Sequence, residues 1–547
     1  QQLRTATRER NPDARPLVEG AGVRFTSQTP PSNADEIRFV LNALDVEGSS
    51  IYSDAEIVAL AGDRLGREVS LVDVFAIAGE LQARYRQDGY LFTRVVVPAQ
   101  SIQGGAVRLE AIEAVLTVVE VEEPDVPVGP VIALAEAIVA ELRGLRNPRT
   151  DQIESVLLRL NDIPGITRAA AVPRIGEGER GAVELYVNME RDAVDATVFA
   201  DNRQSPILGK GLIGVVGSLN SWSPRGDSTT LSAFISSGFD RRDFGERWTV
   251  QAEHRHFIGS DGLNLRGRLL YSESRPGERV ANFEIVGDQT EIEALLYYPL
   301  RRTRPLSIDV FGGVEYVKVD SVTPSPSLPG GVQLPVPDIV VDDSLTVASF
   351  GFEGLQRDVL GYTEGRAEVR VGLDLFGATS ASDVNKSRSD GDATFALIKG
   401  EIERTLPVAE GWTLWGKAWG QASSTPLLAS EEFAIGGAEI GRAYYPSEYV
   451  GDSGFGAAVE LRWNETFAWR RFRAPVELYG YGDFGEVRNN GDGVPGYASI
   501  TSAGFGLRTQ IAGRVAVNLE AARPLNRPIL YDGSDAWRFL FSASSSF

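Results

Sequence analysis

The stretch Glu431-Glu432-Phe433-Ala434-Ile435-Gly436-Gly437-Ala438-Glu439-Ile440-Gly441-Arg442-Ala443-Tyr444-Tyr445-Pro446 decides how the rest of the chain is read. It keeps neither a period of two nor one of 3.6 and is rich in glycine, so it reads as a long structured loop. A second stretch, Glu477-Leu478-Tyr479-Gly480-Tyr481-Gly482-Asp483-Phe484-Gly485, alternates and ends in Asp483-x-Gly485. It reads as a strand carrying one acid. An Arg on a loop and an Asp on a strand two elements later can pair where water is excluded. Such a pair ties the loop to whatever wall the strands build.

The strands that could build a wall begin at residue 194, where the period becomes two and stays there. Within 362–376, Ala367, Val369, Val371, Leu373 and Leu375 share one face, and Arg366, Glu368, Arg370, Gly372 and Asp374 share the other. Within 246–257, Trp248, Val250 and Ala252 oppose Arg247, Thr249, Gln251, Glu253 and Arg255. A soluble sandwich would turn the apolar face to a core; a membrane barrel turns it to lipid and the charges to a wet lumen. Size separates the two. The region spans 354 residues (547 − 193) with no helical pattern. Candidate strands begin near 194, 211, 228, 246, 262, 289, 305, 343, 362, 393, 411, 455, 474, 499, 513 and 536. Each has about the 9–11 residues a bilayer requires. The even count of sixteen fits a closed antiparallel transmembrane β-barrel over 194–547.

The connections support it. Those near 222–227, 258–261, 301–304, 406–410 and 468–472 are short, as periplasmic turns are; those near 275–288, 320–342, 377–392, 423–454 and 487–498 are long, as surface loops are. Counted from an N-terminal periplasmic side, 423–454 is the sixth outer loop, and it carries Arg442. The Pro-rich stretch 320–342 reads as a mobile cap.

Bulk composition agrees. The chain has 547 residues, no Cys and one Met, which suits an oxidising envelope compartment. A net charge of −21 argues against nucleic acid as a partner. No run of 18 apolar residues exists, so no membrane helix is expected. The mean hydropathy of −0.12 is that of a soluble protein, but a barrel escapes that measure because only alternate residues face lipid. No signal peptide is visible at Gln1, so a mature, cleaved chain is expected.

The first third is different. Residues 1–34 read as an N-terminal helix followed by a Pro/Ser/Thr linker at 26–33. Residues 35–122 read strand, helix, helix, strand, strand: a strand at 37–41, a helix from Asp54 capped by Ser53, and another capped by Ser70 with Asp73 at the capping-box position. Gly89 ends that helix, and strands follow at 90–98 and 106–121. Residues 123–193 repeat the plan, with helices at 131–142 and 151–160 (Thr150 as cap) and strands at 166–175 and 181–189.

Gly436-Gly437, then Arg442-Ala443-Tyr444, then an aromatic in Tyr481-x-Asp483-x-Gly485 resembles the outer-membrane transporters of two-partner secretion, the TpsB family. The two α+β segments resemble its POTRA domains, through Asp88-Gly89-Tyr90, Pro98-Ala99-Gln100 with Gly105, and Leu160-Asn161-Asp162-Ile163-Pro164-Gly165. The resemblance implies that residues 1–22 plug the barrel and that the sixth loop folds back inside it. It implies a loop–barrel anchor of Arg442, Tyr444, Asp483 and Gly485. The family has an aliphatic residue before the Arg and a Gly after it; here these are Gly441 and Ala443, so the Asp motif is the closer match. Ala521-Ala522-Arg523-Pro524-Leu525 and a last strand with Trp537, Phe539, Phe541 and Phe547 on one parity also resemble the family. The terminal Phe547 resembles the signal read by the barrel-assembly machinery.

The implied function is secretion of an unfolded exoprotein, captured by the POTRA pair and passed through the lumen, by a monomer in the outer membrane. An assembly factor of the same superfamily and a passive porin are the rivals. No catalytic group, cofactor or metal is expected. Gly209-Lys210-Gly211-Leu212-Ile213-Gly214 lacks the following helix of a dinucleotide site. Gly451-Asp452-Ser453-Gly454 resembles a protease nucleophile loop, but the two His residues, His254 and His256, sit on the lipid-facing parity of a strand. As a metal site His254-x-His256 lacks a third ligand at an obvious spacing, and the pair reads as a girdle position.

Overall fold

The computed structural model describes residues 28–122, 129–237, 246–325, 327–328, 332–333, 337–469, 472–491 and 496–547. The terminal helix expected over 1–22 lies outside the described residues. The chain divides into two units, Gln1–Asp192 and Ala193–Phe547.

The second unit is a closed barrel of sixteen antiparallel strands. In order they are Val194–Asp201, Gly211–Leu219, Ser228–Ser237, Arg247–Phe257, Asn264–Ser274, Val286–Arg302, Leu306–Thr323, Ile339–Asp358, Gly361–Leu373, Ala396–Ala409, Trp412–Ser423, Ser453–Trp469, Phe472–Arg488, Tyr497–Ile511, Val515–Pro524 and Arg538–Ser546. The last pairs with the first from Ser542↔Asp201 to Ser546↔Thr197, which removes both edges. The largest departure from the expected strand starts is the eighth, which begins at Ile339 rather than 343.

Burial shows which way the alternation faces. Phe350 and Phe352 are 66% and 55% exposed, whereas Arg370 on the neighbouring strand is 9% exposed. Apolar side chains point outward all round the wall, including Leu231, Leu269, Ile292, Val314, Val459, Phe505 and Phe539. Charges turn inward and pair across strands. Arg268 reaches Glu291 at 2.7 Å and Glu315 at 3.0 Å, and Arg370 reaches Glu315 at 2.7 Å. This is the polarity of a barrel in lipid around a wet interior.

Strand length is where the structure differs from expectation. The sixth, seventh and eighth strands have 17, 18 and 20 residues, well beyond the span of a bilayer. They continue past the membrane as unbroken ladders, each added residue finding its hydrogen-bonding partner on the neighbouring strand. The surplus carries charge, as in the Asp288↔Asp320 and Asp320↔Asp342 pairs. The expected cap at 320–342 is therefore mostly ladder, with Ser327–Leu328 paired to Val332–Gln333 at its tip.

The first unit holds two small α+β domains. Both capping boxes form, Ser53 with Glu56 and Ser70 with Asp73, so Asp54–Ala61 and Leu71–Gln87 start where expected. Thr150 is not a cap: it is the first residue of Thr150–Asn161, and its hydroxyl donates to Gly89 O. The first sheet orders Ala43–Glu47, Ala106–Ile112 and Arg94–Val96. The second orders Val115–Glu122, Ala182–Arg191 and Ile166–Ile175.

That arrangement corrects the strand expected over 106–121 and, with it, the domain boundary expected at 122. The chain breaks at Glu113-Ala114, and Val115–Glu122 joins the second sheet, parallel to Ala182–Arg191. Alternation runs through the break, so periodicity alone does not mark it. Glu113 makes the corner. Its carboxylate accepts from Ser50 N at 2.7 Å, Ser50 Oγ at 2.6 Å, Tyr85 OH at 2.9 Å and Asn147 Nδ2 at 2.6 Å. Burial alone pushes this carboxyl up, but the donors of Ser50, Asn147 and Tyr85 outweigh it and hold it below the usual range.

Losing charge-assisted hydrogen bonds of this kind costs about 1–3 kcal/mol. Glu113→Ala is expected to destabilise the first unit by that order. A depressed pKa contributes above the unfolded value and is lost as pH falls through the folded one, so the penalty is full at neutral pH and shrinks below pH ~4. Among the described residues every α-helix lies in this unit, so urea unfolding of the whole chain followed at 222 nm reads it selectively.

Candidate functional site

The connection between the eleventh and twelfth strands, 424–452, turns back onto the inner face of the barrel wall. Its arms pair as a short ribbon, Phe433–Ile435 with Tyr449–Gly451. Its tip is set by glycine. Gly436, Gly437 and Gly441 have φ of 105°, 113° and 65°, conformations that L side chains rarely adopt. Gly436 N donates to Ile440 O at 3.2 Å and Tyr444 N to Gly441 O at 2.7 Å, which closes the tip on itself.

The wall receives the tip where side chains are missing. A Cβ on Gly485 would lie 2.5 Å from Ile440 Cγ2, and one on Gly456 would overlap Ile440 as well. One on Gly454 would overlap Phe433. Gly456 and Gly485 stand opposite each other in the ladder, so two neighbouring strands share one shallow seat. Ile435, Ile440, Ala443 and Tyr444 are buried there with Tyr479, Tyr481 and Ile500.

Arg442 and Asp483 are both buried in this seat, and they do not meet head to head. The nearest carboxylate to the Arg442 guanidinium is Glu460, at 2.5 Å from Nη1. Asp483 Oδ2 stands 3.9 Å from Nε, and Glu520 Oε2 4.0 Å from Nη1. Nε has no hydrogen-bond partner among the described residues. The guanidinium lies 4.2 Å over the Tyr481 ring, a cation–π contact. Asp483 instead grips the backbone of the tip. Its Oδ1 accepts from Gly441 N at 2.8 Å and Ser502 Oγ at 2.7 Å, and its Oδ2 from Arg442 N at 3.4 Å.

Tyr444 reaches the connection between the last two strands: its hydroxyl donates to Arg527 O at 2.7 Å. Arg538 of the last strand donates to Ala443 O at 2.9 Å. Of the residues singled out from sequence, Arg442, Tyr444, Asp483 and Gly485 thus converge on one seat. Glu460, Ser502 and Glu520 were missed. Each is one more inward polar residue on an alternating strand, with no local signature. Gly454-x-Gly456 did carry a signal, as alternate glycines on the parity that faces Gly485.

Two further ties hold the arms. Glu431 accepts from Arg370 at 2.5 Å and Lys399 at 3.2 Å. Asp452 is fully buried and accepts from Arg388 at 2.5 Å, Leu427 N at 2.7 Å and Asn490 N at 2.6 Å, so one carboxylate joins three loops. Asp452 of the protease-like Gly-Asp-Ser-Gly run is therefore a loop clasp.

A barrel whose sixth long loop is bound into its own interior has few functions open to it. Residues 39–114 match the POTRA domain family of ShlB type, and residues 339–509 match the haemolysin secretion/activation proteins ShlB/FhaC/HecB. The chain is a two-partner secretion transporter of the outer membrane. Heme/hemopexin transporter protein HuxB of Haemophilus influenzae is 20% identical over 561 residues, covering 98% of this chain and 92% of that one. The solved structure of CdiB from Escherichia coli superposes with a TM-score of 0.71 at 19% identity, over 97% of this chain and 94% of that one. BamA from Haemophilus ducreyi lacking POTRA domains 1–3 superposes with a TM-score of 0.54 at 14% identity, over 93% of this chain and 100% of that one. Both structures share the transporter's fold; the matched family, not the fold, separates secretion from barrel assembly. Transport is the activity of the family it matches, and a secreted exoprotein is the partner that family implies.

Removing one partner of a buried pair strands the other, at a cost of about 3–5 kcal/mol. Glu460→Ala is expected to loosen the tip more than Glu465→Ala, whose side chain is exposed. Hydrogen exchange of a peptide spanning 436–446 reads the difference, because the Gly441 and Arg442 N–H groups are protected by Asp483.

Proposed function

We propose that the anchored sixth loop is the working part of the transporter. The observation that carries this is the seating of Arg442 among Glu460, Glu520 and Asp483, a charged group buried where only a specific wall could compensate it. The loop fixes how wide the lumen is and how its charged lining is presented to a passing chain. An unfolded exoprotein crosses that lumen and folds outside, and folding at the surface supplies direction.

The short turns, such as 303–305 and 410–411, face the periplasm, as do the POTRA domains. The two domains meet at Glu113-Ala114 and capture the exoprotein by adding its backbone to a sheet edge. Ala43–Glu47 is the edge best suited to this. Val115–Glu122 has Val121 N and Val119 O taken by Glu136 and Arg143. Arg94–Val96 has Val95 N bonded to Gln82, and Ile166–Ile175 includes Pro173 and has Ala169 N bonded to Asn161. Lipid surrounds the outward apolar band, the barrel-assembly machinery reads the last strand with Phe539 and Phe541, and the chain works as a monomer.

Arg442→Ala and Asp483→Ala are each expected to leave a folded, heat-modifiable barrel and to lower exoprotein secretion. Normal secretion by both variants would remove the anchor from the mechanism.

A further inference from the structure

The whole chain contains two His residues, His254 and His256, and both lie on one strand two residues apart. Alternation puts them on the same outward face, at the short-turn end of the fourth strand. The ladder brings the start of the third strand beside them, through Thr229↔His254. Just before that strand the turn 220–227 ends in Asp227, whose carboxylate points between the two rings.

The separations are those of a ligand set. His256 Nδ1 stands 2.6 Å from Asp227 Oδ1, and His254 Nε2 4.0 Å from the same oxygen. One donor atom from each of the three residues lies within 4.8 Å of the other two. The rings are stacked, with centroids 6.5 Å apart and planes 22° apart. Donors bound at about 2.0–2.2 Å to one ion stand roughly 3–4 Å apart, so small ring rotations suffice.

The surroundings prepare each donor. His254 Nδ1 lies 3.0 Å from Thr229 Oγ1. In the tautomer that donates there, Nε2 keeps its lone pair and faces Asp227. Ser223 Oγ donates to the other oxygen of Asp227, which leaves Oδ1 for the shared position. Asp227 is 7% exposed, so its orientation is set, while His254 remains open to solvent that could complete a coordination shell.

We propose that Asp227, His254 and His256 bind a first-row transition-metal ion of the zinc class at the short-turn rim of the barrel. Two imidazoles and one carboxylate select against magnesium and calcium, which take oxygen ligands, and favour zinc or its neighbours. The ion clasps the turn before the third strand to the fourth strand, outside the lumen. The site is independent of the sixth loop. A hydrogen bond between His256 and Asp227 needs no second imidazole, and the second one is what the metal explains.

The test is a zinc competition titration of the tag-free full-length chain, chelator-stripped in detergent, against a fluorescent zinc indicator. Calcium is kept in excess so that the acidic lumen does not compete. Wild type is expected to bind about one equivalent, and His254→Ala and His256→Ala to bind about tenfold or more weakly. Heat-modifiable migration of the variants verifies folding, which His254→Ala keeps because the ring is exposed. Cobalt(II) added in place of zinc is expected to give a ligand-field absorption band in wild type and not in either variant. Zinc binding of equal strength in wild type and both variants, or none in wild type at micromolar metal, overturns the proposal.

Discussion

The structure depends on burying a guanidinium almost completely. Taking Arg442 out of water costs several kcal/mol unless carboxylates and donors are already in place. The wall provides them from four successive strands: Glu460, Asp483, Ser502 and Glu520. The ladder fixes their register, so their positions do not depend on the loop's own backbone. Glu460 is in turn shared with Arg462 at 2.7 Å and Arg508 at 3.1 Å, so the seat is a network rather than a single pair. A network of this kind specifies one docked geometry, since any slip leaves a buried charge unpaired.

The seat also works by omission. Gly454, Gly456 and Gly485 remove side chains where Phe433, Ile435 and Ile440 enter. Shape and charge therefore select the same position of the loop. The arms add Glu431 and Asp452, each on a different set of partners. A loop of 29 residues (452 − 423) would otherwise be expensive to order, and these separated clasps divide its entropy among short closed segments.

The first unit uses the same device on a smaller scale. One carboxylate, Glu113, accepts four hydrogen bonds at the corner where the chain leaves one sheet for another. Thr150 and Gly89 add a second tie, so Gly89 serves both the end of one helix and the start of another. In both units, an acid with several donors fixes a place where regular structure stops.

The amino-acid sequence by itself determined the architecture: sixteen strands, their order, their inward and outward faces, and the number of the loop carrying Arg442. It could do so because a lipid-facing wall imposes a period of two on every strand, and turn lengths alternate with membrane side. It also singled out Arg442, Tyr444, Asp483 and Gly485, through motifs that resemble those of a family. Only the tertiary structure decided that the Arg442 guanidinium pairs with Glu460 while Asp483 holds the backbone of Gly441 and Arg442. It alone decided that Val115–Glu122 belongs to the second sheet and that Asp227 stands between His254 and His256. In each case the partner comes from another element, and alternation says which face a residue is on without saying who stands opposite. That is fixed by register and closure, which no local pattern records.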